Sequence, residues 1–365
     1  MIDLALVPGE ELEAAVAWLF RAAGVDAESA RLISALVVAA NRRGVDSHGV
    51  VLVPRYIRGL VAGSLNARPR FTWPVSDDAV AVLDADNAPG HLAAHTAMLG
   101  CLDRAGGHGI GLVLVRNTNH FGMAANYARM ASERGFIGIA TTNGPPVMAP
   151  FGGTTPSICN NPIAFAIPRG DRDVVLDMAL SVVARGRIRT AALAGQPIPL
   201  GWARDKDGVP TTEAQKALEG QLEWIGGYKG YGLGLIIEIL AGVLSGAKFG
   251  TDVSNQSVNN PTFAAAVPLQ HGHFFVAIDV ARFFQHREDF QRRLEALIVM
   301  IHASDLARDA AEIKLPGEPE WELEKRRAVE GIPVPNNVLT ELKAVASELA
   351  SGGADGSRMP ALVRH

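Results

Sequence analysis

The stretch LAAHTAMLGCLDRAGGHGIGLVLVR, residues 92–116, decides the fold. Leu92 to Ala105 spaces its apolar residues as a helix does and Gly111 to Arg116 is a β-rich run, so the glycines between them close a helix and feed a strand. A Rossmann dinucleotide turn has the opposite polarity: strand, then G-x-G-x-x-G, then a helix whose N-terminus faces the pyrophosphate, with an acidic residue about 20 positions on. Gly107-His108-Gly109-Ile110-Gly111 only imitates that fingerprint. A P-loop pattern is absent as well, so any nucleotide is held by another construction.

Outward from this unit, further β-rich runs cover Ala79–Asp84, Gly138–Thr142, Ile163–Ile167, Val174–Met178 and Phe274–Asp279. Helical patterns at Ala124–Glu133, Tyr231–Ser245 and Phe284–Ile301 separate several of them, which predicts a mixed α/β sheet. The Gly- and Pro-rich span Asn143–Pro162 reads as a functional loop or an elaborate turn. Before the sheet the chain is helical: Glu10–Ala23, then Ala27–Arg43 with Asp26 as N-cap and Gly44 as stop. Val50–Val61 resumes a helix with Pro54 in its first turns, which sets His48 at or just before a helix N-terminus. Asn337–Leu349 is a last helix, followed by a loose Gly-Gly-Ala-Asp-Gly end.

Composition narrows the function. The 365 residues are 48% hydrophobic and 20% charged, near globular averages, and exceed what one domain of about 150 residues needs. A net charge of -4 argues against a nucleic-acid or membrane-surface partner and leaves a small-molecule substrate as the default. Gly 38 and Pro 21 with only 6% aromatics imply many tight turns. Cys101 and Cys159 form no CxxC, so neither a disulfide framework nor a thiolate metal site is expected, and a reducing cytoplasm is the simplest location. The N-terminus leads into Glu10, Glu11 and Glu13 without the basic start of a secretory signal. The apolar run Gly232–Ala247 contains Glu238 and falls short of the about 20 residues of a membrane span.

Among the 10 histidines, His91 and His95 share the spacing of a zincin helix but lack its glutamate, and His271 and His273 lack an obvious partner, so no metal is expected. His48, after Asp46 and Ser47, has a helix start to lower its pKa towards the range of proton transfer, and Ser47 can orient or relay to the ring. The plainer reading is a capping turn with an exposed histidine. His120, in Asn117-Thr118-Asn119-His120-Phe121-Gly122, follows a strand at the end where α/β sites collect, or is a turn histidine. Gly226-Gly227-Tyr228-Lys229-Gly230-Tyr231-Gly232 precedes an apolar helix, whose free amides beside Lys229 suit a pyrophosphate; the alternative is a flexible loop with a solvated lysine.

Taken in order, RGVDSHGV (43–50), NTNHFGMA (117–124), MAPFGG (148–153), NPIAFAIP (161–168), VLDMALSVVARGRI (175–188), GWARDKDGVPTT (201–212), YKGYGL (228–233) and LPGE (315–318) resemble the malate/L-lactate dehydrogenase family. This is a group of NAD(P)-dependent oxidoreductases without a Rossmann fold, which also includes sulfolactate and ureidoglycolate dehydrogenases and cyclic imino acid reductases. The resemblance runs over nearly the whole chain. It implies a three-layer mixed α/β fold of the L-sulfolactate dehydrogenase type, with a helical part made from both termini (1–72 with 328–365) around a core at 73–327, in a homodimer. It implies His48 as catalytic acid/base with Ser47 as relay, and His120 as a second candidate for the acid. Cofactor contacts map onto His120, Phe121, Gly122, Met123, Ala124, Asp177, Met178, Ala179, Lys229 and Gly230, with NAD or NADP (NADH or NADPH) as cofactor and no metal.

On the substrate side the chain departs from the family pattern. Leu52 stands where many members carry a carboxylate-binding arginine, and leucine offers an anion neither charge nor hydrogen bonds. Asn160 and Leu180 replace threonines near the substrate. Arg187 takes the place of an aspartate in imino acid reductases, which favours 2-oxo and 2-hydroxy acids over cyclic imines. Arg55 or Arg185, the latter beside Gly186, is the candidate replacement anchor. Leu52 also motivates a different reading, a cofactor-binding homologue with an altered substrate.

Overall fold

The computed structural model describes residues 3–170, 172–253, 267–351 and 359–360. A short strand β1 (Leu4–Val7) leads into helices α1 (Gly9–Ala22), α2 (Ala27–Arg42) and α3 (Val53–Val61). Asp26 caps α2, its carboxylate accepting from the Glu28 and Ser29 amides at 3.0 Å. Strands β2 (Thr72–Ser76) and β3 (Val80–Ala88), helix α4 (Gly90–His108) and strand β4 (Ile110–Thr118) follow. Next come α5 (Ala125–Ser132), β5 (Phe136–Thr142), β6 (Ile163–Ile167), β7 (Val174–Met178) and α6 (Arg185–Leu193). A small excursion of β8 (Ala203–Arg204), β9 (Pro210–Thr211), α7 (Ala214–Glu219) and β10 (Gln221–Leu222) precedes α8 (Tyr228–Glu238), which runs into a π-turn at Ile239–Val243. The chain closes with β11 (His271–Asp279), α9 (Arg287–His302), α10 (Glu318–Glu330), β12 (Ile332–Pro335) and α11 (Asn336–Ser351).

The main sheet has the order β2-β3-β4-β11-β5-β6-β7. Only β3 and β4 pair in parallel; the other neighbours are antiparallel. A parallel pair needs a crossover, and α4 supplies it. Gly109 ends α4 in the left-handed conformation at φ 84°, and a Cβ on Gly111 would lie 2.0 Å from the Cys101 carbonyl oxygen. These glycines end a helix and let it sit close on its strand, as the sequence reading expects.

The layers follow from what each helix covers. α4 packs on β4 and β11 and α5 on β5 and β6, while the π-turn after α8 lies against β11. Outside α4 and α5 sit α1, α2, α3 and α11, around Leu12, Leu19, Phe20, Ile33, Val37, Ile57, Leu339, Leu342 and Val345. β1 and β12 pair with each other, so the two ends of the chain meet in this outer layer. A mixed α/β sheet with helices drawn from both termini is thus observed.

Several boundaries differ from expectation. Val50–Leu52 is a 3-10 turn and α3 starts at Val53, because Pro54 is accommodated at the first turn of a new helix. α8 begins at Tyr228 rather than Tyr231, so Lys229 and Gly230 lie inside its first turn. The Gly-Gly-Ala-Asp-Gly end lies outside the described residues.

Candidate active site

The turn Asp46–His48 is held from both ends of the chain. Asn41 of α2 donates from Nδ2 to Asp46 at 2.7 Å and accepts the Val50 amide on Oδ1 at 2.8 Å. A Cβ on Gly49 would lie 2.0 Å from that Oδ1, so the glycine in Ser47-His48-Gly49 makes room for the Asn41 carboxamide. Arg327 of α10 donates to both Asp46 oxygens at 2.8 and 3.0 Å. On this platform Ser47 Oγ sits 2.9 Å from His48 Nδ1. Enclosure by the protein lowers the His48 pKa. The expected helix dipole is not the cause, since a 3-10 turn separates His48 from α3.

His120 leaves the end of β4 and faces His48, the rings stacked at 5.6 Å and 23°. Its Nδ1 lies 2.7 Å from the Tyr56 hydroxyl and accepts the Gly122 amide at 3.3 Å. Burial raises the Tyr56 pKa, so the phenol keeps its proton. With donors on Nδ1, the neutral ring carries its own hydrogen on Nε2. Burial, with His48 and Arg55 nearby, holds His120 well below the usual histidine range.

Asp177, the last residue but one of β7, accepts the Ala125 amide at the start of α5 at 2.8 Å. Its carboxyl opens on the cleft but is otherwise walled in, and that enclosure pushes its pKa up to about 6.

These groups line one cleft of about 660 Å³, where β4 and β5 end and β11 begins. Ser47, His48, His120, Phe121, Gly122, Met123, Ala124, Asn160, Asp177, Met178 and Ala179 meet on its walls. The cleft also takes in Arg43, Asn143, His271, Leu315 and Glu320, which the motifs did not single out as contacts. Phe121, Met123 and Met178 form an apolar wall, with Asp177, Glu320, Arg43 and Lys314 as the charged groups, a polar set that suits a flat ring bearing an amide and a ribose. Among the described residues no group of three His, Cys, Asp or Glu is arranged to hold a metal ion.

Other candidate residues lie off this cleft. Leu52 is half-buried against the helical outer layer. Arg185 donates to the Leu218 carbonyl at 2.6 Å. Gly186 is exposed in the first turn of α6, and Arg187 is exposed beside it. Arg55 lines a small space next to the cleft together with Tyr56, Asn119 and His120, and its charge acts on His120 and His271. Lys229 is exposed and Gly230 buried, where a Cβ would lie 2.2 Å from the Ile225 carbonyl.

The profile of malate/L-lactate dehydrogenases matches residues 7–343. The chain is 34% identical over 355 residues to a malate dehydrogenase of Pyrococcus horikoshii, covering 95% of this chain and 96% of the relative. It is 33% identical over 317 residues to the ureidoglycolate dehydrogenase (NAD(+)) of Escherichia coli K12, covering 87% and 88%. The structure superposes on sulfolactate dehydrogenase from Methanocaldococcus jannaschii with a TM-score of 0.88 at 36% identity, over 94% of this chain and 97% of the other.

Proposed function

The chain belongs to the malate/L-lactate dehydrogenase family, oxidoreductases that act on CH-OH groups of small hydroxy acids, and on that premise we propose that it moves a hydride between NAD(H) or NADP(H) and a small 2-hydroxy or 2-oxo acid, with His48 as the acid/base. The observation that carries this reading is the Ser47–His48–His120 array on the cleft wall. When bound, the nicotinamide donates or accepts the hydride at the substrate carbon.

Ser47 engages His48 Nδ1, which leaves Nε2 to give a proton to the forming alkoxide or to take it from the alcohol. His120 stays neutral and donates from Nε2–H to the same oxygen, so the two rings divide proton transfer and charge stabilisation between them. Tyr56 fixes the His120 tautomer. Asp177 accepts from the ribose or the carboxamide, and Phe121, Gly122, Met123, Ala124, Met178 and Ala179 shape the ring pocket.

Leu180–Val182 hydrogen-bonds Glu223–Ile225, which brings the first turn of α8 beside the Asp177–Ala179 wall. Lys229 and the amides near Gly230 take the diphosphate there. Arg55, whose charge acts on His120 and His271, anchors the substrate carboxylate in place of the arginine missing at Leu52. Exposed Leu233, Ile236 and Val243 on α8 and its π-turn supply an apolar face for a homodimer. Among the described residues no helix is long and apolar enough to cross a membrane.

The test is to add NADH or NADPH to the purified protein and follow nicotinamide absorbance with pyruvate, oxaloacetate, the 2-oxo counterpart of sulfolactate and a cyclic imino acid. Turnover of a 2-oxo acid is expected. Turnover of the cyclic imine alone, or of nothing on the panel, rejects the reading.

A further inference from the structure

His271 opens β11 and is 2% exposed, yet among the described residues neither ring nitrogen has a hydrogen-bond partner. A buried, unsatisfied imidazole costs free energy, and where such a group also faces a cleft a ligand can complete it. The ring lines the cleft. Its Cε1 is 3.7 Å from where a Gly144 Cβ would stand, and the Cys159 Sγ is 3.0 Å from the same point. The pairing of β11 with β4 shifts register between His271 and His273, and the two rings have different fates. His273 Nδ1 bonds Thr142 Oγ1 at 2.8 Å and its ring stacks on Phe121 at 4.6 Å, so it belongs to the scaffold. Among the described residues His271 makes no such contacts of its own. Burial and the nearby charge of Arg55 hold its pKa at about 3, so it stays a neutral donor and acceptor at working pH.

Resting on the function proposed above, we propose that His271 determines substrate specificity: its imidazole donates to an oxygen of a second acidic group on the substrate, beyond the reacting carbon. His120 and His48 occupy the reacting end, while His271, at the junction of β4, β5 and β11, occupies the same cleft within reach of the Arg55 field. A neutral N–H beside a positive charge suits an anionic oxygen. The site therefore selects 2-oxo acids bearing a second carboxylate or a sulfonate over pyruvate.

The test compares wild type with His271→Leu and His271→Gln for kcat and KM on oxaloacetate and pyruvate, and titrates NADH and NADPH binding by nicotinamide fluorescence. Wild type is expected to prefer oxaloacetate. In His271→Leu that preference should fall about tenfold or more, mainly through KM, with cofactor Kd within about twofold of wild type. His271→Gln, which keeps a donor, should retain part of it. Melting temperatures identify a variant that fails to fold, and the Gln variant then decides by the same ratio. An unchanged ratio, a wild type that prefers pyruvate, or a loss residing in cofactor Kd overturns the inference while leaving the hydride-transfer reading intact. A wild type that oxidises neither cofactor with any acid overturns both.

Discussion

Arg327 grips Asp46 with both guanidinium nitrogens, at 2.8 and 3.0 Å, across 281 residues of sequence. A side chain near the C-terminus thereby holds the turn that presents His48. Arg327 is nearly buried and Asp46 half-exposed, so the pair is worth less than a fully buried one. Arg327→Met should cost about 1–2 kcal/mol of stability and lower kcat by roughly tenfold, because the turn loses its register. Arg327→Lys, with a single ammonium group, cannot restore the fork and should show the same direction of change. Thermal unfolding and kcat, measured together on both variants, check this; full activity in Arg327→Met would show that the turn holds itself.

The acid/base role makes a signed pH expectation. Enclosure lowers the His48 pKa below its usual value of 6.5. Reduction needs the protonated ring, so kcat/KM for the 2-oxo acid should fall as pH rises through this lowered value. Oxidation needs the neutral ring and should rise through the same value and then level off. His48→Ala should lose about 100-fold or more in both directions while binding NADH or NADPH normally. Comparable rates in wild type and variant would remove His48 from the mechanism.

How much of this was legible depends on the range over which each feature is encoded. β3, β4, β5, β6, β7 and β11 are runs of Val, Ile, Ala and Phe, and local propensity finds them. β2 and β12 carry Pro74, Pro333 and Pro335, which argue against strands, yet they stand at a sheet edge and in a two-stranded pair, where proline is tolerated. α10 is mostly charged and is tied down by Arg43–Glu324 and Arg327–Asp46 pairs that no periodicity reveals. The cleft wall at Phe121–Ala124 and Asp177–Ala179 is legible because its residues lie in short continuous motifs. His271 is not: it reaches the cleft only because β11 inserts between β4 and β5, and such non-local pairing has no local signature.

Buried histidines set the acid limit of the fold. His91, His271 and His273 are fully enclosed, the first two with pKa values of about 3 and the third well below 6.5, all through burial. The unfolded chain takes up protons below pH 6.5 that the folded protein refuses, so stability is present above that pH and lost as pH falls towards 3. The slope is about 1.4 kcal/mol per pH unit for each such histidine. Asp177 opposes this, because its raised pKa favours the folded state as pH falls below about 6. The melting temperature should drop steeply between pH 6 and 4.5, and a flat profile would contradict the burial of these rings.

Arg55 and Arg185 differ in what their guanidinium groups face. Arg55 acts electrostatically on His120 and His271, both on the cleft wall, whereas Arg185 spends a guanidinium nitrogen on the Leu218 carbonyl. A carboxylate held by an arginine gains charge-assisted bonds worth about 1.5–3 kcal/mol, roughly tenfold to a hundredfold in KM. Arg55→Gln should therefore raise KM for the 2-oxo acid in that range and leave cofactor Kd unchanged. It should also raise the pKa of His120, since one of the charges holding it down is gone. Arg185→Gln should change neither. Steady-state kinetics on both variants, with a His120 titration followed by NMR, tests this pair of outcomes; a larger KM effect from Arg185→Gln would move the anchor to α6 and give Leu52 no replacement near His120.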